Sequence, residues 1–463
     1  MGSLEPDSCP YQQYYLSQRG AYNCTDREIW SPREKLVMSP WSIRNPDGIR
    51  ILLRLAENSL LHNFVGEFIE GQLAVDASKH LTYSTGPRGS LRLRRAVATF
   101  LQKEFRARRT ITQDDIVITS GLTSALDSIT WAICNEGDSI LIPTPFYNGF
   151  HIDLTARSNA KVVGVTWDDI RGFSGFDDMF RPEFNRAALE AALCRSKKAG
   201  IEPRALLISN PHNPLGRCYP PETLREFILF CGRHKLHFIS DEIYAKSVFE
   251  NPAITGNRSF VSALSLDTKG LIDPNLFHVL YGASKDFCLN GLRIGAVYTK
   301  NKGIMGAMAS ISPFSWSPHI IQDVWAAMLE DGKWTNQLFT QNQTLMAENY
   351  ALATSFLREH DISYYEMNAG VFIWVDLRRF LFPKSTCSEP NFAVLRNTSP
   401  DISLYKEREA FIVNRCIDNG VMISAGTIYA TPELGWFRIT FTVGKYALEE
   451  GLRRIWKSLE QLQ

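Results

Sequence analysis

From about residue 90 to 300, short apolar runs alternate with longer stretches of helical period. The runs are DIVIT (115–119), SILIP (139–143), KVVGV (161–165), ALLIS (205–209), LHFIS (236–240), FHVLY (277–281) and RIGAVYT (293–299). Each is short, rich in branched residues and bounded by polar or turn residues, the pattern of a strand covered on both faces. Their alternation with helices predicts an α/β fold whose larger part is a mostly parallel, seven-stranded sheet flanked by helices. Helix starts are marked by Ser90 ahead of LRLRRAVATFLQKEF and by Pro221 ahead of ETLREFILFCGRH.

After about residue 310 the pattern changes to long helical segments, roughly 317–358 and 403–419, separated by the short strands YYEM, VFIWVDL and FRITFTV. A smaller α+β domain is expected there, joined by the N-terminal residues: 81–311 form the large domain, and 1–80 with 312–463 the small one. The stretch 381–402, rich in Pro, Ser, Thr and Asn, breaks both periodicities and reads as a surface loop.

Composition narrows the partners. The 463 residues are 44% hydrophobic and 21% charged, enough to bury a large core, and Lys plus Arg (50) nearly balances Asp plus Glu (49) for a net charge of +1. Such a chain has no overall field for nucleic acid or anionic membrane, so a small molecule is the expected partner. The longest apolar runs are too short to span a bilayer. Nine cysteines are scattered without a C-x-x-C pair, which argues against zinc and for a reducing, cytoplasmic setting. The start MGSLEPDSCPYQQYY has neither the basic stretch nor the apolar core of a signal peptide, and Pro6 spoils a myristoylation pattern. Triplets of the N-x-S/T type at Asn257 and Asn342 therefore read as chance.

Three segments that follow strands carry chemistry. In Tyr281-Gly-Ala-Ser-Lys-Asp-Phe-Cys-Leu-Asn-Gly-Leu-Arg-Ile-Gly295, Lys285 lies just past a strand end and strand is expected to resume at Arg293. Strand ends are where open α/β sheets bind ligands. A lysine there, desolvated or flanked by cations, loses its proton readily and can form a Schiff base with an aldehyde cofactor, while Ser284 and Arg293 hold a phosphate. Ser209-Asn-Pro-His-Asn-Pro-Leu-Gly216 and Ser240-Asp-Glu-Ile-Tyr244 follow two further strands. Asp241 can keep a pyridine nitrogen protonated, and Asn213 and Tyr244 can donate to a ring hydroxyl. Taken singly, Asp241 is a helix cap and Asn-Pro a turn; it is the coincidence of three that counts. Upstream, Thr119-Ser-Gly-Leu-Thr123 opens a helix after DIVIT, so Gly121, Leu122 and Thr123 offer free N–H groups to an anion. Arg438 stands inside an apolar strand, where a lone buried charge needs an anionic partner.

In order and spacing these segments resemble the fold type I pyridoxal-phosphate enzymes, the aspartate aminotransferase superfamily, over nearly the whole chain. The resemblance implies pyridoxal 5'-phosphate on Lys285, Asp241 against the pyridine nitrogen, Asn213 at the ring hydroxyl, and a phosphate turn at Gly121, Leu122 and Thr123. It further implies Tyr147, in Pro143-Thr-Pro-Phe-Tyr147, stacked on the ring, and Arg438 paired with the substrate α-carboxylate.

Asn45-Pro-Asp-Gly48, Leu55-Ala-Glu-Asn58, PTPFYNGF (143–150), GVFIWVDLR (370–378) and GWFRITF (435–441) look more specifically like 1-aminocyclopropane-1-carboxylate synthases and their fungal-type relatives. In those synthases the glutamate matching Glu57 helps select S-adenosylmethionine. The tyrosine matching Tyr83 reaches the partner subunit's cofactor phosphate, which implies a homodimer with shared sites. The chain departs from the synthases at Gly282, where they have a serine that adds a phosphate hydroxyl, and at Asn148, where they have proline. Fungal-type relatives include cysteine-conjugate C–S lyases of secondary metabolism. An elimination on S-adenosylmethionine or a cysteine S-conjugate is thus expected, with transamination to a 2-oxo acid as the alternative. Both use the same residues, with Lys285, Asp241 and Tyr244 at the reacting centre.

Overall fold

A computed structural model describes residues 15–17, 19–21, 41, 51–254, 259–381 and 402–462. The strands are β1 (Ile51–Leu52), β2 (Ile116–Thr119), β3 (Ser139–Pro143), β4 (Lys161–Val165), β5 (Pro203–Ser209), β6 (His237–Asp241), β7 (Phe277–Gly282), β8 (Gly295–Thr299), β9 (Tyr364–Tyr365), β10 (Phe372–Asp376), β11 (Val421–Met422), β12 (Ser424–Ala425) and β13 (Trp436–Thr440). The larger sheet has seven strands in the order β2-β8-β7-β6-β5-β3-β4. Only β8 runs against the others, since it is antiparallel to both β2 and β7 while β3 to β7 pair in parallel. The mostly parallel sheet expected from the alternation is therefore present, with all seven expected strand runs in place.

Why the strands read as continuous apolar runs is visible along β5. Leu206 and Ile208 join one hydrophobic core while Ala205 and Leu207 join the other, on the opposite face. The helices supply the cover. Ser90 accepts from the Leu93 N–H (3.2 Å) and starts the helix Leu91–Glu104, and Pro221 is the first residue of the helix Pro221–His234. The long helical stretch after 317 is two helices, His319–Glu330 and Gly332–Glu359, because Asp331 leaves the helix and its carboxylate caps the second at Trp334 N (2.9 Å).

A smaller antiparallel sheet, β12-β13-β10-β9, is flanked by Ile402–Asp418 and Lys445–Leu459. β1 pairs in parallel with β11, and Thr440 N donates to Leu53 O (2.7 Å), which ties the 51–60 segment to this sheet. These two-residue strands escaped the sequence reading because they are too short to show a period. One expectation needs correcting: strand does not resume at Arg293. That residue is left-handed (φ 52°) and β8 begins at Gly295. Asn45–Gly48, Asn257 and nearly all of the expected surface loop lie outside the described residues. Asn342 is buried in the helix Gly332–Glu359 and accepts from Asn58 Nδ2 (2.8 Å), so its triplet is a packing feature. Among the described residues no helix is long and apolar enough to cross a membrane.

Candidate active site

Because β2, β3, β5, β6 and β7 all point the same way, the residues that follow each of them meet at one edge of the sheet. β2 delivers the turn to Gly121, β3 delivers Tyr147, β5 delivers Asn213, β6 delivers Asp241 and Tyr244, and β7 delivers Lys285. β8, the one reversed strand, enters from this edge and brings Arg293 with it.

The helix Gly121–Ile133 begins here without a side-chain cap, since Ser120 makes no capping bond. Its first N–H groups are thus unspent and sit at the positive end of the helix dipole. The left-handed kink at Arg293 lays its guanidinium over Gly121, where a Cβ would stand 2.6 Å from Nη2. Arg293 Nη1 donates to Asn290 O (2.8 Å). Thr123 and buried Ser284 complete a cup of donors. Leu122 contributes only its backbone: its side chain fills a notch left by Gly282 and Gly295, meeting a Cβ on either at 2.7 Å. Gly282 is thus more than a missing phosphate hydroxyl, because any side chain there collides with Leu122 Cδ1 and Ile294 O.

Lys285 donates from Nζ to Ala56 O. Burial, then the charge of Arg438, pushes its amine down to about 8, with Arg293 adding to the effect and Glu57 and Asp241 opposing it. Asp241 is buried and pushed up to about 7 by that burial. Its carboxylate accepts one hydrogen bond among the described residues, from Ile243 N (3.1 Å). The charge of Lys285 opposes this shift without overcoming it. Tyr244 is also buried, which drives its phenol upward, with Arg438, Tyr147, Asp241 and Tyr429 acting on it from around the site.

Arg438 is 3% exposed and lies in β13. Nη1 donates to Asn213 Oδ1 (3.2 Å), Nη2 donates to Arg54 O (2.7 Å), and the buried Nε has no partner among the described residues. Phe372 and Tyr429 pack on the guanidinium, with ring centres 4.9 and 4.8 Å from Cζ. Glu57 accepts from Asn290 Nδ2 (2.9 Å), and its segment is held across the site by Thr440 Oγ1 and Thr442 Oγ1, which donate to Leu55 O and Glu57 O (both 2.7 Å). The structure brings every expected site residue together except Tyr83, which is 89% exposed and rests edge-on against Trp316 at 5.8 Å.

Three groups went unnoticed in the sequence. Tyr429 lies in an aperiodic stretch and Phe372 inside a strand run, and neither gives a signal of its own. Asp153 is buried on the helix Phe150–Thr155, within a weak 3.5 Å contact of Thr123 Oγ1, and is pushed up to about 7 by burial and then by Asp241. The donor cup, the buried carboxyl with one hydrogen bond among the described residues and the half-used arginine fit the phosphate, the ring nitrogen and the substrate carboxylate of the expected chemistry.

Comparison with known proteins gives the family and the fold. Residues 50–455 match the family model for aminotransferase class I and II. The 1-aminocyclopropane-1-carboxylate synthase-like protein 1 of Bos taurus is 31% identical over 90% of this chain and 77% of its own. A probable aminotransferase, aclI, of Aspergillus oryzae is 31% identical over 95% of this chain and 97% of its own. Among solved structures, aspartate aminotransferase from Thermus thermophilus with maleate superposes with a TM-score of 0.71 over 96% of this chain and 99% of its own, at 20% identity.

Proposed function

The chain belongs to the class I and II aminotransferase family of pyridoxal 5'-phosphate enzymes, on the side of it related to 1-aminocyclopropane-1-carboxylate synthases, and from that premise we propose that it eliminates a leaving group from the side chain of an amino acid. The observation that carries an amino-acid substrate is Arg438, while elimination rather than transamination draws on the similarity to the synthases and on Glu57 beside Lys285. A buried guanidinium with two aromatic ring centres 4.9 and 4.8 Å from Cζ, its Nε without a partner among the described residues, is a fork waiting for a carboxylate.

When bound, the cofactor supplies an aldehyde that condenses with amines and a ring that draws electrons from the α-carbon. The helix start at Gly121, Leu122 and Thr123, with Ser284 and Arg293, takes its phosphate. Asp241 would face the protonated ring nitrogen, Asn213 and Tyr244 would donate to the ring hydroxyl, and Tyr147 would cover the ring. Lys285, with its proton held loosely near neutral pH, receives the substrate α-proton at Nζ. Arg438 fixes the carboxylate so that this proton faces the amine. The 54–57 segment, held by Thr440 and Thr442, keeps water out.

Glu57, whose charge reaches Lys285, suits a substrate with positive charge beyond the α-carbon, such as the sulfonium of S-adenosylmethionine; a cysteine S-conjugate is the neutral counterpart. A second reading, transamination to a 2-oxo acid, draws on the near full-length similarity to the Aspergillus oryzae protein. Product analysis separates them. Pure enzyme is given S-adenosylmethionine, a cysteine S-conjugate, and an amino acid with 2-oxoglutarate. Aminocyclopropane-carboxylate, or a thiol with pyruvate, is the expected product. Glutamate alone overturns elimination in favour of transamination.

The active form in this reading is a homodimer. Tyr83 is exposed against Trp316, and Leu81 (75%) and Phe314 (82%), each two residues along the chain from one of that pair, are exposed too, which supports its reaching a second copy. Free Cys134, Cys194, Cys218, Cys231, Cys288 and Cys416 support a cytoplasmic setting.

A further inference from the structure

We infer that Tyr429 is the positioning residue that sets Arg438 for the substrate carboxylate and joins it mechanically to the ring-covering segment; this rests on the reading of Arg438 as the carboxylate ligand. Tyr429 ends the tight turn Gly426–Tyr429 and is followed by left-handed Ala430, a conformation that aims its ring inward. The ring lies 4.8 Å from Arg438 Cζ, with Phe372 4.9 Å from the same atom, and Trp374 meets Tyr429 edge-on at 5.6 Å. An arginine side chain has many rotamers, and two aromatic contacts select one of them while leaving Nε open to a ligand. The turn is itself held from outside. Buried Glu409, on the helix Ile402–Asp418, accepts from Thr427 N (3.2 Å) and Gly435 N (2.6 Å), so one carboxylate fixes both the start of the turn and the approach to β13.

The same residue reaches the other half of the site through its backbone. Tyr429 O accepts from Phe146 N at 2.8 Å, and Phe146 directly precedes Tyr147. Ring and carbonyl of Tyr429 thus touch the carboxylate fork and the stacking segment at once. An aliphatic residue would keep the second contact and lose the first.

The test uses the full-length holoenzyme and isocaproate, a carboxylate with no amino group, measured by calorimetry so that the readout does not depend on turnover. Tyr429→Leu should weaken isocaproate binding and raise KM for the amino acid by about 10- to 30-fold, the size of one desolvated cation–π contact, with kcat changing much less. Tyr429→Phe, which keeps the ring, should restore both. Phe372→Leu, which removes the other ring, should weaken isocaproate in the same sense and serves if the Tyr429→Leu protein does not fold. Unchanged isocaproate affinity in the leucine variants overturns the inference, as does an equal loss of activity on a decarboxylated amine. If the wild type binds no isocaproate, or Arg438→Lys binds it as well as the wild type does, the reading of Arg438 fails first and this one with it.

Discussion

Gly121 is the position where one methyl group should separate cofactor binding from folding. Its φ is +76°, and a Cβ there would stand 2.6 Å from Arg293 Nη2, 3.0 Å from Cζ and 3.3 Å from Nη1. Gly121→Ala therefore costs about 1 kcal/mol in backbone strain for a side chain placed in the left-handed region. The steric part falls elsewhere. Arg293 Nη2 is the far end of a flexible side chain, so in the cofactor-free protein it swings aside cheaply, but it can then no longer close over the phosphate. A charged hydrogen bond of that kind is worth about 1.5–3 kcal/mol, which at about 1.4 kcal/mol per decade is a 10- to 100-fold rise in cofactor Kd. Gly137 is the internal control, since its φ is +86° and a Cβ there meets nothing within 4 Å. Thermal unfolding of both apoproteins should show similar small losses, whereas titration with pyridoxal 5'-phosphate, followed by protein fluorescence, should show weakened binding for Gly121→Ala alone. Equal affinity in Gly121→Ala and the wild type, or equal weakening in Gly137→Ala, would refute the phosphate cup as drawn.

The loaded protein should be yellow and bleach with borohydride, leaving the reduced pyridoxyl group on Lys285, while Lys285→Ala still takes up cofactor loosely but loses turnover by about three or more orders of magnitude; peptide mapping that finds the adduct on another lysine contradicts the assignment. Gly282→Ser, which restores the synthase serine, should destabilise by about 1–3 kcal/mol without tightening cofactor binding, because the notch is already filled by Leu122; a tighter cofactor Kd would count against the packing argument. His237 Nδ1 and His278 Nε2 lie 2.9 Å apart and burial pushes both rings down, His237 to about 4, so their contribution to stability is present above the unfolded value near 6.5 and is lost as pH falls toward 4. Urea unfolding should show that loss between pH 7 and 5, reduced in His278→Gln; an equal slope in both proteins excludes the pair. Finally, inactive Tyr83→Ala and Lys285→Ala subunits, mixed and allowed to exchange, should regain roughly a quarter of wild-type activity, since half the dimers are hybrids with one intact site; no recovery after proven exchange means that each chain builds its own.

What could be read from the sequence divides along physical lines. The strand runs of the larger sheet were visible because burial on both faces demands continuous apolar residues, and Lys285, Asp241 and Asn213 stood out because reactive groups at strand ends interrupt those runs abruptly. Arg293 is expected from the sequence both as a candidate phosphate ligand and as the start of a strand, and the second fails: the residue type advertises the charge, but a non-glycine in the left-handed region leaves no trace in composition. Gly282 shows the reverse case. Set beside its relatives it looks like a lost hydroxyl, and only the three-dimensional fit with Leu122 and Gly295 reveals a position where no side chain fits. Tyr429 and Glu409 were illegible for a third reason. They act on Arg438 through space, from a short turn and from a helix whose apolar period absorbs an isolated glutamate. Sequence thus discloses the groups that perform chemistry more readily than the groups that hold them in position, since the first are chosen by residue type and the second by geometry alone. On that argument, differences in substrate preference between this chain and its relatives should be sought in the supporting shell around Arg438 before the residues that meet the cofactor.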